Sequence, residues 1–244
     1  MNKYLLIGFS LTVLSCFGQI KNTISAKEFN AEMAPVLSEL NRSNIVMKFK
    51  KETYPDVKST SPIESVNGVI YRGSGLCYKM IIGGVTVLQT NELSVYIDST
   101  QRFVQVSDID SSMKALNMVG SFSKEMLENY ELEKTGNGNF IVLKATPKYF
   151  DEGIMEFYID PKKKTLYKLV ISMPPANYFM EKDDDETVES PYVSVIYEPI
   201  IPLKKNEVSF SETSILQKDR EDKLSLTTTM AGYQLHDGRY RSKK

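Results

Sequence analysis

Residues 66–109 decide the fold, and they read VNGVIYRGSGLCYKMIIGGVTVLQTNELSVYIDSTQRFVQVSDI. Apolar and polar residues alternate in short runs, which end at turn residues such as Gly73, the glycine pair at 83–84 and Asp98. Alternation with a period of two over runs this short is typical of β-strands, because helices need longer runs with a different period. Glycine and aspartate favour the tight turns between such strands. The stretch therefore predicts a strand meander, with the rest of the chain extending or covering this sheet.

The composition limits the class of protein. Of the 244 residues, 41% are hydrophobic, so the chain can bury a substantial core. Its 30 basic and 31 acidic residues nearly cancel, which removes the positive field that attracts nucleic acid. We expect no nucleic-acid partner, and we expect residues 19–244 to form one domain.

The N-terminus has the pattern of a signal peptide in residues 1–18. Lys3 precedes an apolar run at 5–14, which is too short to span a bilayer, and small residues follow. Cleavage after Gly18 would make Gln19 the first mature residue, a pattern that resembles Bacteroidetes secretory precursors. Alternatively, the sequence Val-Leu-Ser-Cys at 13–16 resembles a bacterial lipobox, in which Cys16 would be lipidated. We expect a periplasmic protein, or one on the periplasmic face of the outer membrane if Cys16 is lipidated, without a transmembrane segment in the mature chain.

The residues that commonly carry catalysis are scarce. His236 is the only histidine, so neither a histidine-based triad nor a multi-histidine metal site can form. Cys77 is the only cysteine after signal removal, and its place in a strand pattern predicts a buried, unreactive thiol. Acidic residues are scattered without the spacing typical of paired catalytic carboxylates. We predict no catalytic residue, no metal site and no cofactor.

One helix is predicted near the start of the mature chain. Ser25 and Glu28 form a capping box, which satisfies free amide groups at a helix N-terminus. Four apolar residues then follow at helical spacing: Phe29, Met33, Leu37 and Leu40. We predict a helix that lies on the sheet and is kinked or restarted at Pro35, because proline lacks an amide donor and crowds the preceding turn.

The segment at 108–130 lacks strict alternation and predicts two short helices, the second capped by Ser123. Its methionines can adapt to irregular apolar partners. They either fill gaps over the sheet or belong to a flexible plug over an acyl-chain cavity. The residues assigned to that cavity are Met113, Leu116 and Met118.

A second antiparallel meander follows. The sequence Thr-Gly-Asn-Gly-Asn at 135–139 predicts a hairpin turn, and later strands are predicted to include 206–210 and 224–230. In the strand at 154–160, alternate residues form one wholly apolar face: Met155, Phe157 and Ile159. A strand of this kind belongs to a sheet that is covered on one side.

The order of these elements resembles the LolA and LolB family of outer-membrane lipoprotein carriers and receptors. Three stretches carry the resemblance: the runs E-L-S-V-Y at 92–96 and F-V-Q-V at 103–106, the run F-I-V-L followed by T-P-K at 140–148, and the strand, turn and strand at 154–169. The similarity covers residues 25 to about 210. Residues from about 211 onward therefore form a C-terminal extension.

The resemblance implies both a fold and a function. The fold would be mainly β (α+β), an incomplete antiparallel β-barrel or strongly curved sheet covered by a few helices. The function would be carrier-like binding of lipid or lipoprotein acyl chains in a concave apolar face that includes the three residues of the 154–160 strand. In the family an arginine at an early strand end holds a lid shut; Arg72 is its counterpart, although Gly73 replaces the family's proline. The alternative is a non-enzymatic docking subunit of an envelope protein complex, anchored through Cys16.

Overall fold

The structure is a computed structural model that describes residues 22–56, 58–109, 124–149, 153–172 and 191–239. These ranges contain sixteen strands and two α-helices, so the protein is mainly β, as predicted. The helices are α1 (Ala26–Leu40) and α2 (Lys124–Leu127). The strands are β1 (Asn22–Thr23), β2 (Ile45–Tyr54), β3 (Glu64–Arg72), β4 (Tyr78–Ile82), β5 (Val85–Gln89), β6 (Leu93–Asp98), β7 (Phe103–Asp108), β8 (Tyr130–Asn137), β9 (Phe140–Pro147), β10 (Ile154–Asp160), β11 (Thr165–Ser172), β12 (Tyr192–Tyr197), β13 (Ile201–Pro202), β14 (Leu216–Lys218), β15 (Leu224–Leu226) and β16 (Gln234–Asp237).

One large sheet contains fourteen of these strands. Its order is β1-β8-β9-β10-β11-β12-β2-β3-β4-β5-β6-β7-β16, with β13 also beside β2, while β14 and β15 form a separate hairpin. Neighbours within the two meanders are antiparallel, and β16 joins β7 in parallel. The end strands β1 and β16 do not pair with each other, so the curved sheet is not closed. This confirms the predicted incomplete barrel.

Helix α1 begins where the sequence predicts it. The Ser25 hydroxyl accepts a hydrogen bond from the Glu28 amide (3.2 Å), and the Glu28 carboxylate accepts one from the Ser25 amide (2.8 Å). These reciprocal bonds satisfy amide groups that have no partner within the helix. The helix continues through Pro35 to Leu40 as one element, so it does not restart at this proline.

The face of the sheet that α1 covers, named the helix face, carries the larger core. Phe29 and Met33 of α1 are fully buried in it. Each strand contributes every second residue to this face. Phe49 of β2 pairs with Gly68 of β3, and a Cβ atom added at Gly68 would lie only 2.2 Å from the Phe49 ring. The glycine therefore makes room for the ring in the core.

The opposite face, named the outer face, carries a second core at the other end of the sheet. Leu88 pairs with Val95, and Val95 pairs with Val106, so β5, β6 and β7 present one apolar row. Leu216 and Leu224 of the β14–β15 hairpin pack on this surface. The C-terminal segment thus covers β5 to β7 from the side opposite to α1.

The segment that follows β13 differs from its prediction in two places. Residues 206–210 form turns and irregular backbone rather than a strand, and β15 ends at Leu226 before a 3₁₀ turn at Thr228–Met230. The Phe210 ring packs against Gly73, where an added Cβ atom would lie 2.9 Å from the ring. Apolar residues in this segment therefore pack against the sheet without pairing as a strand. Alternation in the sequence does not distinguish these two cases.

Candidate functional site

The three residues predicted to form an apolar face share the helix face. Phe157 and Ile159 are 1% and 3% exposed, and Met155 packs half-buried against the same core. The Phe157 ring meets the Phe29 ring edge to face, with centroids 5.9 Å apart. Helix α1 therefore fills this part of the face. The assignment of these residues to a ligand site stays a prediction.

Four predicted site residues lie outside the described residues: Met113, Leu116, Met118 and the alternative lipidation site Cys16. Their functions stay predictions. The described part of the 108–130 segment includes α2, whose Leu127 is 1% exposed in the helix-face core. The second of the two predicted helices is therefore present and packs on the sheet.

From β3 to β6 the helix face consists of rows of residues that pair directly across the strands. One row is apolar: Ile70, Met80, Val87 and Tyr96. Its members range from buried Ile70 (3% exposed) to Tyr96 (37% exposed). In the neighbouring row Ile82 and Val85 pair, and both are half-buried. This apolar surface is partly accessible to solvent, unlike the surface beneath α1.

The apolar surface ends at a row of polar residues on the same face, named the polar row: Arg72, Tyr78, Gln89, Ser94 and Ser107. Arg72 ends β3, as predicted, and is half-buried, and this burial lowers the pKa of its guanidinium group. Tyr78 and Gln89 are 6% and 1% exposed. The helix face is therefore amphipathic in this region. The latch function of Arg72 stays a prediction.

Two buried polar atoms on the helix face have no hydrogen-bond partner among the described residues. One is Oε1 of Gln89, whose Nε2 donates to the Leu76 carbonyl at 3.1 Å. The other is the hydroxyl of Tyr197, whose ring centroid lies 6.2 Å from that of Phe49; burial raises the pKa of this hydroxyl. Buried polar groups in proteins normally have hydrogen-bond partners. A hydrogen-bond partner at either place, supplied by water or by a polar ligand atom, would therefore be stabilising.

The outer face of β2 and β10 differs because its charged groups are paired. Tyr54 donates a hydrogen bond to Glu52 (2.9 Å), and the ammonium group of Lys50 lies 2.6 Å from the same carboxylate. The contact with Lys50, followed by that with Tyr54, lowers the pKa of Glu52. Tyr158 donates in the same way to Glu156 (3.1 Å). Neighbouring side chains thus satisfy these charged groups, whereas the buried Ser194 hydroxyl beside Glu52 has no hydrogen-bond partner among the described residues. The helix face is the better candidate for a ligand site because it also carries the half-exposed apolar row.

A cleft of about 490 Å³ lies between the start of α1, α2 and β8. Its walls include Leu127, Tyr130 and Leu132, which also belong to the helix-face core. The exposed residues Glu131 and Lys148 line it as well. The cleft therefore borders the apolar core beneath α1.

Among the described residues, His236 is the only histidine and Cys77 the only cysteine. The His236 ring stacks with the Phe103 ring, with centroids 6.5 Å apart. Cys77 is half-buried rather than buried, and its burial raises the pKa of the thiol. Among the described residues, no group of three or more His, Cys, Asp or Glu side chains is placed to hold a metal ion. In the same ranges, every helix is too short or too polar to cross a bilayer.

Comparison with known proteins finds likenesses among solved structures. No family model and no curated protein matches the chain. The MucA/MucB complex of Pseudomonas aeruginosa is similar over 74% of this chain and 59% of its own, with 14% identity and a TM-score of 0.39. A LolA superfamily protein from Nitrosomonas europaea is similar over 75% of this chain and 94% of its own, with 8% identity and a TM-score of 0.31.

A third similar structure is a DUF1329 family protein from Desulfovibrio piger, which covers 78% of this chain and 99% of its own, with 9% identity and a TM-score of 0.36. The chain spans about three fifths of the MucB chains that it matches, at 59% and 62%. At these identities the likenesses concern the course of the backbone alone.

The sequence patterns did not indicate the polar row. Gln89 ends the run V-T-V-L-Q and so resembles the polar end of a strand. Register aligns it with the other members, because Arg72 pairs with Tyr78 and Tyr78 pairs with Gln89. One feature of the sequence could have indicated it. Gln89 follows Val85 and Val87 at intervals of two residues, so this polar side chain lies on the same face of the strand as two apolar ones.

Proposed function

We propose that this protein binds the acyl chain of a lipid or of an acylated lipoprotein on the helix face, as an exported, carrier-like envelope protein that catalyses no reaction. The observation that carries the proposal is the half-exposed apolar row of Met80, Val87 and Tyr96 beside the polar row. An acyl chain with a polar head group matches this arrangement. Burial of the chain contributes about 0.8 kcal/mol per methylene group, so a long chain supplies most of the binding free energy.

The proposed site continues from this surface towards Met155. Phe29 and Met33 fill the helix face farther along, so α1 would shift if a chain reached Phe157. The cleft beside Leu127 borders the same core. Arg72 belongs to the polar row beside this surface, and the latch function that the resemblance implies is part of the proposal.

Two exposed tyrosines provide a matched test. Tyr96 lies on the helix face and is 37% exposed, whereas Tyr167 is 42% exposed and stacks on Phe140 outside the helix-face core. A carboxylate at position 96 would replace an apolar contact of the site. We expect Tyr96→Asp to weaken the binding of a fluorescent fatty acid by about tenfold or more, and Tyr167→Asp to leave it unchanged.

Fluorescence titration measures these affinities, and circular dichroism checks that both variants are folded. Met155→Asp should also weaken binding, because Met155 is half-buried on the same face. Affinities equal to that of the wild type in folded Tyr96→Asp and Met155→Asp would contradict the proposed site.

A second candidate function is docking of another envelope protein, with the chain anchored through Cys16. The complete burial of Phe29 and Met33 favours it, because a filled concavity suits a scaffold better than a carrier. Native mass spectrometry of the protein from its own envelope, with identification of the mature N-terminus, separates the two. A bound lipid on a chain that begins at Gln19 supports the carrier; an empty chain in a stable complex, beginning at lipidated Cys16, supports the docking subunit.

A further inference from the structure

We infer that Gln89 binds the head group of the captured amphiphile, and that this head group carries a hydrogen-bond donor, either a hydroxyl or an amide N–H. The inference rests on the proposed function, because it concerns the polar end of the same site. It adds a specificity that an apolar surface alone does not provide.

The hydrogen bonds of Gln89 leave one atom unsatisfied. Its side chain is buried, at 1% exposed, and Nε2 donates to the Leu76 carbonyl at 3.1 Å. That bond sets the orientation of the amide, so Oε1 is the remaining polar atom, and none of the described residues donates to it. A buried carbonyl oxygen without a donor destabilises the folded protein. A ligand that supplies the donor removes this penalty.

The position of Gln89 relative to the apolar row supports the assignment. Val87 precedes it by two residues on the same strand and face, which corresponds to about 6.6 Å along the strand. An acyl chain whose end lies along β5, over Val85 and Val87, therefore brings its head group beside Gln89. Because Gln89 is 1% exposed, the surface over Oε1 must open before a donor on the head group reaches this atom.

Two other members of the polar row lie beside Gln89 on the neighbouring strands: Tyr78 pairs directly with Gln89, and Arg72 pairs with Tyr78. An amide oxygen such as Oε1 of Gln89 only accepts hydrogen bonds. The head group must therefore supply a donor, as the hydroxyl groups of a monoacylglycerol or the N–H groups of a primary amide do. A simple alkyl ester lacks the donor and leaves Oε1 unpaired.

Three probes with the same acyl chain test the inference: 1-monooleoylglycerol, oleamide and methyl oleate. Each is used to displace a fluorescent fatty acid from the mature chain. We expect the wild type to bind at least one of the two donor-bearing probes about tenfold more tightly than methyl oleate. Gln89→Met should remove this preference, so that the three probes bind with similar affinities. Gln217→Met alters an exposed glutamine of β14 and should retain the wild-type preference.

The outcomes distinguish the inference from the proposed function. If the wild type binds none of the probes or the fluorescent fatty acid, both are overturned. If the wild type binds all three probes equally, the proposed acyl-chain site stands and the inference about Gln89 is overturned. A preference that persists in folded Gln89→Met also overturns the inference about Gln89. The wild-type comparison requires no variant, so the inference stays falsifiable even if Gln89→Met does not fold. A preference for oleamide identifies an amide donor, and one for monooleoylglycerol identifies a hydroxyl.

Discussion

The ring of Phe157 in β10 contacts the ring of Phe29 in α1 edge to face, with centroids 5.9 Å apart and an interplanar angle of 83°. Both side chains are at most 1% exposed, so the contact joins α1 to the sheet. Phe157→Ala should lower the free energy of unfolding by about 3–5 kcal/mol, because it leaves a cavity beneath the helix. Urea denaturation measures this loss. Tyr149→Ala, at a 68% exposed tyrosine, should change stability by less than about 0.5 kcal/mol; similar losses at both positions would contradict the prediction.

Two strand glycines should respond differently to the same substitution. A Cβ atom at Gly68 would lie 2.2 Å from the Phe49 ring, whereas a Cβ atom at Gly136 would meet nothing within 4 Å. Gly68→Ala should destabilise the fold by about 1–3 kcal/mol, since the ring must leave its place in the core. Gly136→Ala should be neutral or slightly stabilising. Thermal denaturation of the two variants compares them directly, and equal midpoints would show that Phe49 moves freely.

The C-terminal segment should unfold together with the sheet. Leu224 is 8% exposed in the outer-face core, so Leu224→Ala should lower the free energy of unfolding by about 2–5 kcal/mol. If residues 19–244 form one domain, far- and near-ultraviolet circular dichroism will report one common transition in the wild type and in the variant. Ile201→Ala, at a 47% exposed position, is the control. A separate early transition in the variant would instead indicate a second folding unit.

Acid should weaken the outer-face contacts of Glu52. Its pKa is lowered from 4.5, first by Lys50 and then by Tyr54, so the unfolded chain binds the proton more readily than the folded one. This stabilisation is complete above pH 4.5 and is lost as the pH falls through the folded-state pKa. Glu52→Gln should therefore show a smaller loss of stability than the wild type between neutral pH and about pH 3, measured by urea denaturation. An identical loss in both proteins would contradict the pairing.

Several local features followed directly from the amino-acid sequence. The capping box at Ser25 and Glu28 predicted the start of α1, because both groups act within one helical turn. Short alternating runs predicted strands such as β5 and β6, since the period of two reflects one covered face. The same reasoning was wrong at 206–210, where apolar residues pack between layers without strand pairing.

The sequence by itself thus determined the strand-rich class, the helix that covers the sheet and the apolar face of β10. The tertiary structure alone decided how the strands align, and which face of the sheet is covered by α1 and which by the C-terminal segment. Arg72, Tyr78 and Gln89 lie in one row because β3, β4 and β5 pair in a single register, and the C-terminal segment lies on the outer face because apolar residues there complete a second core. Both depend on contacts between residues far apart in the chain, whereas alternation reports only the environment of neighbouring residues.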